Sequence, residues 1–334
     1  MRVVVDSHIP FVRGRLEPWA QVDYCDDIAA ADVLTSDALL VRTRTRCDAA
    51  LLEGSRVRFI GTATIGTDHI DLDYCRDRDI QVVSAPGCNA PAVAQWVLAG
   101  IAQWMAQQGV DSTASLTIGI VGVGHVGSIA ARWAQEMGFG VLLCDPPRAE
   151  REGSHDFVAL DQLTAQADII TFHTPLTRQG RWPTWHLCDQ ALLSQAARCR
   201  LLMNAARGAV CDTAALLQWH GSLAIDCWEG EPHISLPLLD RAFIATPHIA
   251  GYSLQGKQRG TAMVLEALAH RYGWIITPEQ AATPRDGAHG ITLADVARSY
   301  NPLDDTAHLR LHPEQFECLR NNYPLRNEVN DHAD

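Results

Sequence analysis

One segment limits what this chain can fold into more than any other. Ile118-Gly119-Ile120-Val121-Gly122-Val123-Gly124-His125-Val126-Gly127 is an apolar strand running into G-x-G-x-x-G, and it opens the helical run Ser128 to Met137. Gly122 permits the tight turn, Gly124 lets the main chain approach a pyrophosphate, and Gly127 lets helix and strand pack closely. The amides of His125 and Val126 then point at phosphate oxygens from the helix N-terminus. The next apolar run ends at Asp145, roughly 20 residues on, the spacing of a ribose-binding carboxylate. A carboxylate there accepts from the ribose hydroxyls and repels a 2′-phosphate, so the pattern favours NAD over NADP.

The runs around this motif extend it into a sheet. Thr117–Val121, Gly140–Asp145, Asp168–His173, Arg200–Ala205, Leu223–Cys227 and Phe243–Thr246 read as strands separated by helices, which suits a doubly wound parallel sheet. Val3–Asp6, Ala38–Arg42, Val57–Gly61 and Ile80–Ser84 form a second series ahead of it, ended by the turn Ala85-Pro86-Gly87-Cys88-Asn89, with Asn89 a fitting helix cap. The expected fold class is α/β, with two Rossmann-like doubly wound parallel-sheet domains and a shortened C-terminal appendage. Residues 1–89 with 252–275 are expected as a substrate-binding (lid) domain and 90–251 as the NAD-binding domain. Residues 276–334 are expected as a Pro- and Gly-rich linker and appendage ending in the polar run Asn327 to Asp334.

Charge and cysteine usage narrow the function. With 27 basic and 39 acidic residues the net charge is −12, which argues against nonspecific nucleic-acid binding. A few arginines still suffice to make a cleft locally positive for a small anion. Lys257 is the only lysine. The ten cysteines form no C-x-x-C pair, which fits a reducing cytoplasm and argues against a zinc knuckle or disulfide scaffold. Ala90 to Met105 is interrupted by Gln95 and Gln103, too polar for a membrane span.

Three polar residues follow three later strands. Arg207 comes after Leu201 to Ala206, Glu231 after Ala224 to Cys227, and His248 after Ile244 to Pro247. In a parallel sheet these C-terminal ends share one edge, where open α/β sheets bind ligands. Hydride leaves a hydroxyl-bearing carbon only as a base takes the hydroxyl proton, which suits His248. Glu231 on the far ring nitrogen would orient the imidazole. Arg207 can grip a substrate carboxylate by two prongs. Taken singly, each has a plainer reading: a loop cap, a turn carboxylate, a surface ion pair.

Several longer strings carry a resemblance: Gly61-Thr62-Ala63-Thr64-Ile65-Gly66-Thr67-Asp68-His69, Ala85 to Ala90, and Cys144-Asp145-Pro146-Pro147-Arg148-Ala149. Three more are Thr171-Phe172-His173-Thr174-Pro175-Leu176, Asp226-Cys227-Trp228-Glu229-Gly230-Glu231-Pro232 and Thr246-Pro247-His248-Ile249-Ala250-Gly251-Tyr252. The chain resembles the D-isomer-specific 2-hydroxyacid dehydrogenases, most of all their phosphoerythronate branch. That resemblance implies oxidation of 4-phospho-D-erythronate to 2-oxo-3-hydroxy-4-phosphobutanoate in pyridoxal 5′-phosphate biosynthesis, catalysed by Arg207, Glu231 and His248. It implies NAD held at Asp145, Thr174, Asp226 and Gly251, and substrate at Thr43, Thr64 and Tyr252. A homodimer is also implied, as is a 2-oxo acid that takes the hydride back from the cofactor. Arg42, which ends an apolar run, is the arginine expected to reach the substrate phosphate. Pro313 to Arg326 resembles only one piece of the family's dimerisation domain. Another hydroxyacid dehydrogenase, such as one for D-3-phosphoglycerate, or an NAD-sensing corepressor-like regulator remain alternatives.

Overall fold

The computed structural model describes residues 1–153, 156–276 and 290–329. The expected linker stretch 277–289 and the final residues 330–334 lie outside them. The described chain divides into two units, one of Met1–Asn89 with 254–276, the other of Ala90–Ser253 with 290–329.

The first unit holds a five-stranded sheet of β1 (Arg2–Asp6), β2 (Gln21–Cys25), β3 (Ala38–Val41), β4 (Phe59–Thr62) and β5 (Gln81–Val83). The order is β2-β1-β3-β4-β5, parallel throughout. Val3, Val4, Val5, Leu39, Leu40 and Phe59 are at most 1% exposed, because a parallel sheet is covered on both faces and its strands read as continuous apolar runs. Strand β2 breaks that rule and was not expected. Its residues Gln21-Val22-Asp23-Tyr24-Cys25 alternate polar and apolar and all stay partly exposed, as an edge strand allows. The helix Leu254–Tyr272 buries Val264, Leu265 and Leu268 in the same core as Val3, Val5 and Phe59.

The second unit holds β6 (Thr117–Val121), β7 (Gly140–Cys144), β8 (Ile169–Phe172), β9 (Leu201–Asn204), β10 (Ser222–Ile225) and β11 (Ile244–Ala245). Their order is β11-β10-β9-β8-β6-β7, again parallel. Strand order reverses between β6 and β8, and crevices at such reversals bind ligands beyond the strands' C-terminal ends. Trp96, Trp104 and Trp133 are at most 1% exposed and anchor the core. The helix Ala90–Gln108 is buried over most of its circumference. This explains its fully buried Gln95, whose amide donates to Ser299 Oγ at 2.9 Å and to the Asn327 carbonyl at 3.2 Å.

Those two partners belong to the C-terminal segment, whose helices Leu293–Ser299, Pro302–Leu311 and Phe316–Asn321 bury Val296, Leu309 and Phe316 in the second unit. Arg326 fastens it further. Its guanidinium donates to the carbonyls of Ala92 (3.1 Å), Ile249 (3.0 Å), Tyr252 (3.2 Å) and Ala250, and lies 4.2 Å from the Tyr300 ring centroid. Among the described residues no helix is long and apolar enough to cross a membrane.

Candidate active site

The glycine loop leaves β6 at Gly122, which sits at φ 89°, a region that strongly favours glycine. A Cβ there would press on Thr174 and the His173 carbonyl carbon at 2.8 Å, and one on Gly127 would strike the Gly122 carbonyl oxygen. At Gly124 a Cβ would meet nothing within 4 Å, so this is the open side of the loop. Gly124 precedes the helix His125–Glu136 without side-chain capping, so no side chain takes the first-turn amides, the arrangement that suits an anion.

Across the reversal, Thr174 follows β8, and its Oγ1 is buried with no hydrogen-bond partner among the described residues. Buried hydroxyls rarely go unsatisfied. Asp145 follows β7, where one oxygen accepts from the Val123 amide at 2.8 Å and the other from the Arg148 amide at 3.0 Å. The carboxylate therefore braces the loop at the strand end where the sequence pattern expects a ribose-binding acid. An uncapped helix, an open glycine, an orphaned hydroxyl and this carboxylate fit a dinucleotide. His173, beside Thr174, is pushed down to about 4 by burial, and its Nε2 lies 3.0 Å from Thr171 Oγ1.

The three expected catalytic side chains stand past β9, β10 and β11. Asn204, the last residue of β9, is 1% exposed and donates to the carbonyls of Arg207 (3.0 Å) and Cys227 (3.3 Å) while accepting from the Ala206 amide (3.1 Å). It shapes the turn that carries Arg207, whose Nη1 donates to the Ala206 carbonyl at 2.9 Å. Glu231 and His248 meet: Nδ1 lies 2.8 and 2.9 Å from the two carboxylate oxygens, with both side chains about a quarter exposed or less. An ionised carboxylate only accepts, so Nδ1 carries the hydrogen and Nε2 is left to exchange protons.

His248 itself adopts φ 57°, a conformation that costs a non-glycine residue free energy and must be held by its surroundings. The brace is Asp226. Its carbonyl accepts the His248 amide at 2.9 Å. Its Oδ1 accepts from Thr246 Oγ1 (2.6 Å) and the amides of Ile249 (2.8 Å) and Ala250 (3.0 Å). Burial pushes the Asp226 carboxyl above its ordinary range, and His248 and these donors work against the rise. Behind it, Trp96 Nε1 donates to Thr246 Oγ1 at 3.1 Å and Trp228 Nε1 to the Thr246 carbonyl at 2.8 Å. Asn204, Thr246, Trp96 and Trp228 were missed by sequence reasoning. The available signal was a polar residue at or just past the end of an apolar strand, which names no partner.

Tyr252 packs edge-on to Tyr323 at 6.2 Å, and its hydroxyl accepts from Arg320 Nε at 3.3 Å. Gly251 lies between carbonyls that Arg326 holds. In the first unit, Arg42 follows β3 and its Nε bonds the buried Asp6 carboxylate at 2.9 Å. Thr43 is exposed, and Thr64 Oγ1 lies 2.7 Å from Thr62 Oγ1. One His/Asp/Glu trio among the described residues, His186, Asp212 and Glu229, brings its ligand atoms within 4.8 Å. Each member already pins local structure: His186 bonds Glu229 at 2.7 Å, Glu229 accepts from the Thr213 amide at 3.3 Å, and Asp212 caps the Ala214 amide at 3.0 Å.

The model of the D-isomer specific 2-hydroxyacid dehydrogenase NAD binding domain matches residues 88–250. An erythronate-4-phosphate dehydrogenase of Bacteroides thetaiotaomicron is 42% identical over 98% of this chain and 97% of its own length. One from Sodalis glossinidius is 43% identical over 98% of this chain and 92% of its own length. In fold, the chain is similar to a D-lactate dehydrogenase of Aquifex aeolicus solved with NAD and lactic acid. That likeness has a TM-score of 0.65, 23% identity, and coverage of 83% of this chain and 100% of the other.

Proposed function

The chain belongs to the erythronate-4-phosphate dehydrogenase family of NAD-dependent oxidoreductases, and from that premise we propose that it oxidises 4-phospho-D-erythronate to 2-oxo-3-hydroxy-4-phosphobutanoate. The observation that carries this reading is the His248–Glu231 pair at 2.8 Å, set beyond the same sheet that bears the glycine loop. NAD, when bound, accepts the hydride from the carbinol carbon. His248 Nε2 takes the hydroxyl proton as that hydride leaves, and Glu231 holds the ring and balances the imidazolium. Arg207 grips the substrate carboxylate and polarises the oxygen that becomes the carbonyl. Gly122, Gly124, His125, Val126 and Gly127 cradle the pyrophosphate, Asp145 takes the ribose, and Thr174, Asp226 and Gly251 complete the cofactor contacts. Thr43, Thr64 and Tyr252 are substrate contacts. So is Arg42, whose Nη edge has no partner among the described residues.

We further propose a place in pyridoxal 5′-phosphate biosynthesis, a cytoplasmic homodimer, and a 2-oxo acid as the acceptor that regenerates NAD. The test is turnover of 4-phospho-D-erythronate with NAD and 2-oxoglutarate, with 3-phosphoglycerate in parallel and His248→Ala as control. Turnover of the four-carbon phosphate, lost in the variant, is expected. Activity on 3-phosphoglycerate alone moves the protein to another branch, and NAD binding without turnover of either overturns the enzymatic reading.

A further inference from the structure

The substrate of the proposed reaction carries a carboxylate and a phosphate at opposite ends. Arg207 serves the first. In a chain of net charge −12, the phosphate needs a cation of its own. Arg42 is already partly neutralised by Asp6.

Arg320 stands on the short helix Phe316–Asn321, in the C-terminal segment, far in sequence from the strand-end motifs. Its side chain is 19% exposed. Cations this enclosed are ordinarily matched by a close carboxylate. Here the single ion-pair partner among the described residues is Glu317, itself 38% exposed and 3.6 Å away through Nη1. The guanidinium is instead aimed by Tyr252, whose hydroxyl takes the Nε hydrogen at 3.3 Å and whose ring is wedged against Tyr323. Tyr252 follows His248 by four residues on the same loop. Burial works against the Arg320 charge, but the Tyr252 hydroxyl and the Glu231 carboxylate outweigh it and hold the guanidinium above its ordinary value. The Cys227 thiol feels both Arg207 and Arg320, so two guanidinium groups border one region of the catalytic loops. The segment is tied down beside them by Arg326 and by Ser253 Oγ, which donates to Glu328 at 2.7 Å. A pre-aimed arginine with uncommitted N–H groups is suited to a phosphate, which it meets with a fork of parallel hydrogen bonds.

We propose that Arg320 binds the phosphate of the phosphorylated 2-hydroxy acid and so sets specificity for it, making the C-terminal segment part of the substrate site in its own chain. The proposal rests on the reading above that such an acid is the substrate.

The experiment uses the full-length, NAD-loaded protein. Values of kcat/KM are compared for 4-phospho-D-erythronate and for D-erythronate in the parent, Arg320→Gln, Arg320→Lys and Arg42→Gln. Protection against thermal unfolding by inorganic phosphate is measured at low ionic strength for each. Arg320→Gln is expected to lower the preference for the phosphorylated acid roughly 10–100-fold, the worth of a charge-assisted pair, with KM carrying most of the change, and to abolish phosphate protection. Arg320→Lys, which keeps stem and charge but loses the fork, recovers part of both and carries the same comparison if the glutamine variant does not fold. Equal losses on both acids assign Arg320 a structural tie and overturn the proposal. Loss of preference in Arg42→Gln with none in Arg320→Gln also overturns it. A parent inactive on 4-phospho-D-erythronate defeats the substrate assignment instead, and phosphate protection retained in Arg320→Gln then overturns the anion site independently.

Discussion

Replacing Thr246 with valine tests the brace behind the catalytic histidine. Thr246 is fully buried, and its hydroxyl accepts from Trp96 Nε1 at 3.1 Å and donates to Asp226 Oδ1 at 2.6 Å. Valine fills nearly the same volume and does neither. The Trp96 N–H, in a side chain with no exposure, is then left without an acceptor at a cost of about 1–3 kcal/mol. The carboxylate loses one of three donors to Oδ1, and a hydrogen bond to a charged group contributes about 1.5–3 kcal/mol. The extra buried methyl offsets roughly 1 kcal/mol. The net loss is therefore about 1.5–5 kcal/mol. In a unit of about 200 residues each kcal/mol moves the midpoint by roughly 2–4 °C, so melting of the second unit falls by about 3–20 °C. Tryptophan fluorescence and calorimetry against parent and Thr246→Ser measure it, the serine retaining most of the stability. Turnover falls in the valine variant and recovers in the serine one, because Asp226 holds the His248 amide and the two amides that follow it. A valine variant melting with the parent would refute the bridge.

Three further outcomes follow from the same geometry. Gly127→Ala drives a Cβ into the Gly122 carbonyl and weakens NADH binding by roughly tenfold or more, read by fluorescence titration. His173 is protonated near 6.5 when unfolded but only at about 4 in the fold. Stability is therefore lost as pH falls from 6.5 to about 4, with this residue contributing up to ~1.4 kcal/mol per pH unit. Denaturant midpoints of His173→Asn across that window are expected to be flatter than the parent's. Asp226 runs the other way: its carboxyl is raised in the fold, so the stability it contributes is greatest below its unfolded pKa and is lost as pH rises through the raised value. Asp226→Asn keeps Oδ1 as an acceptor and sheds that penalty. At neutral pH it is expected to melt no lower than the parent while turnover drops on the order of 100-fold, because the negative charge that favours a protonated His248 is gone.

The residues legible in the sequence share one property, that their signal lies within a few positions of them. Gly122, Gly124 and Gly127 announce a turn and helix start by themselves. Arg207, Glu231 and His248 each come just after an apolar strand, and parallel topology alone sends such residues to one edge. Strand β2 was illegible because an edge strand needs one covered face at most, and Val22 with Tyr24 makes a weak alternation. The brace was illegible for a different reason. Trp96 meets Thr246 across 150 positions, and Arg320 meets Tyr252 across 68. An isolated polar residue in an apolar stretch reveals a need for a partner without saying where it is. The tail misled most. It read as an appendage with a polar end, because the interactions that fix it, those of Arg326 with backbone carbonyls, leave no trace in the residue types they touch.

Those carbonyls set an order of events during synthesis. Every motif that names the chemistry has been synthesised once Tyr252 is made, yet the guanidinium holding the Ile249–Tyr252 backbone comes only with Arg326. A nascent chain, or one cut short by a late stop codon, thus carries Arg207, Glu231 and His248 on a loop whose conformation is not yet fastened. Such a product would satisfy every motif search while lacking the finished site. Arg326 thus separates a chain that carries the motifs from one that also holds the loop bearing them, and a deletion that removes it belongs among the changes to avoid when the protein is produced for assay.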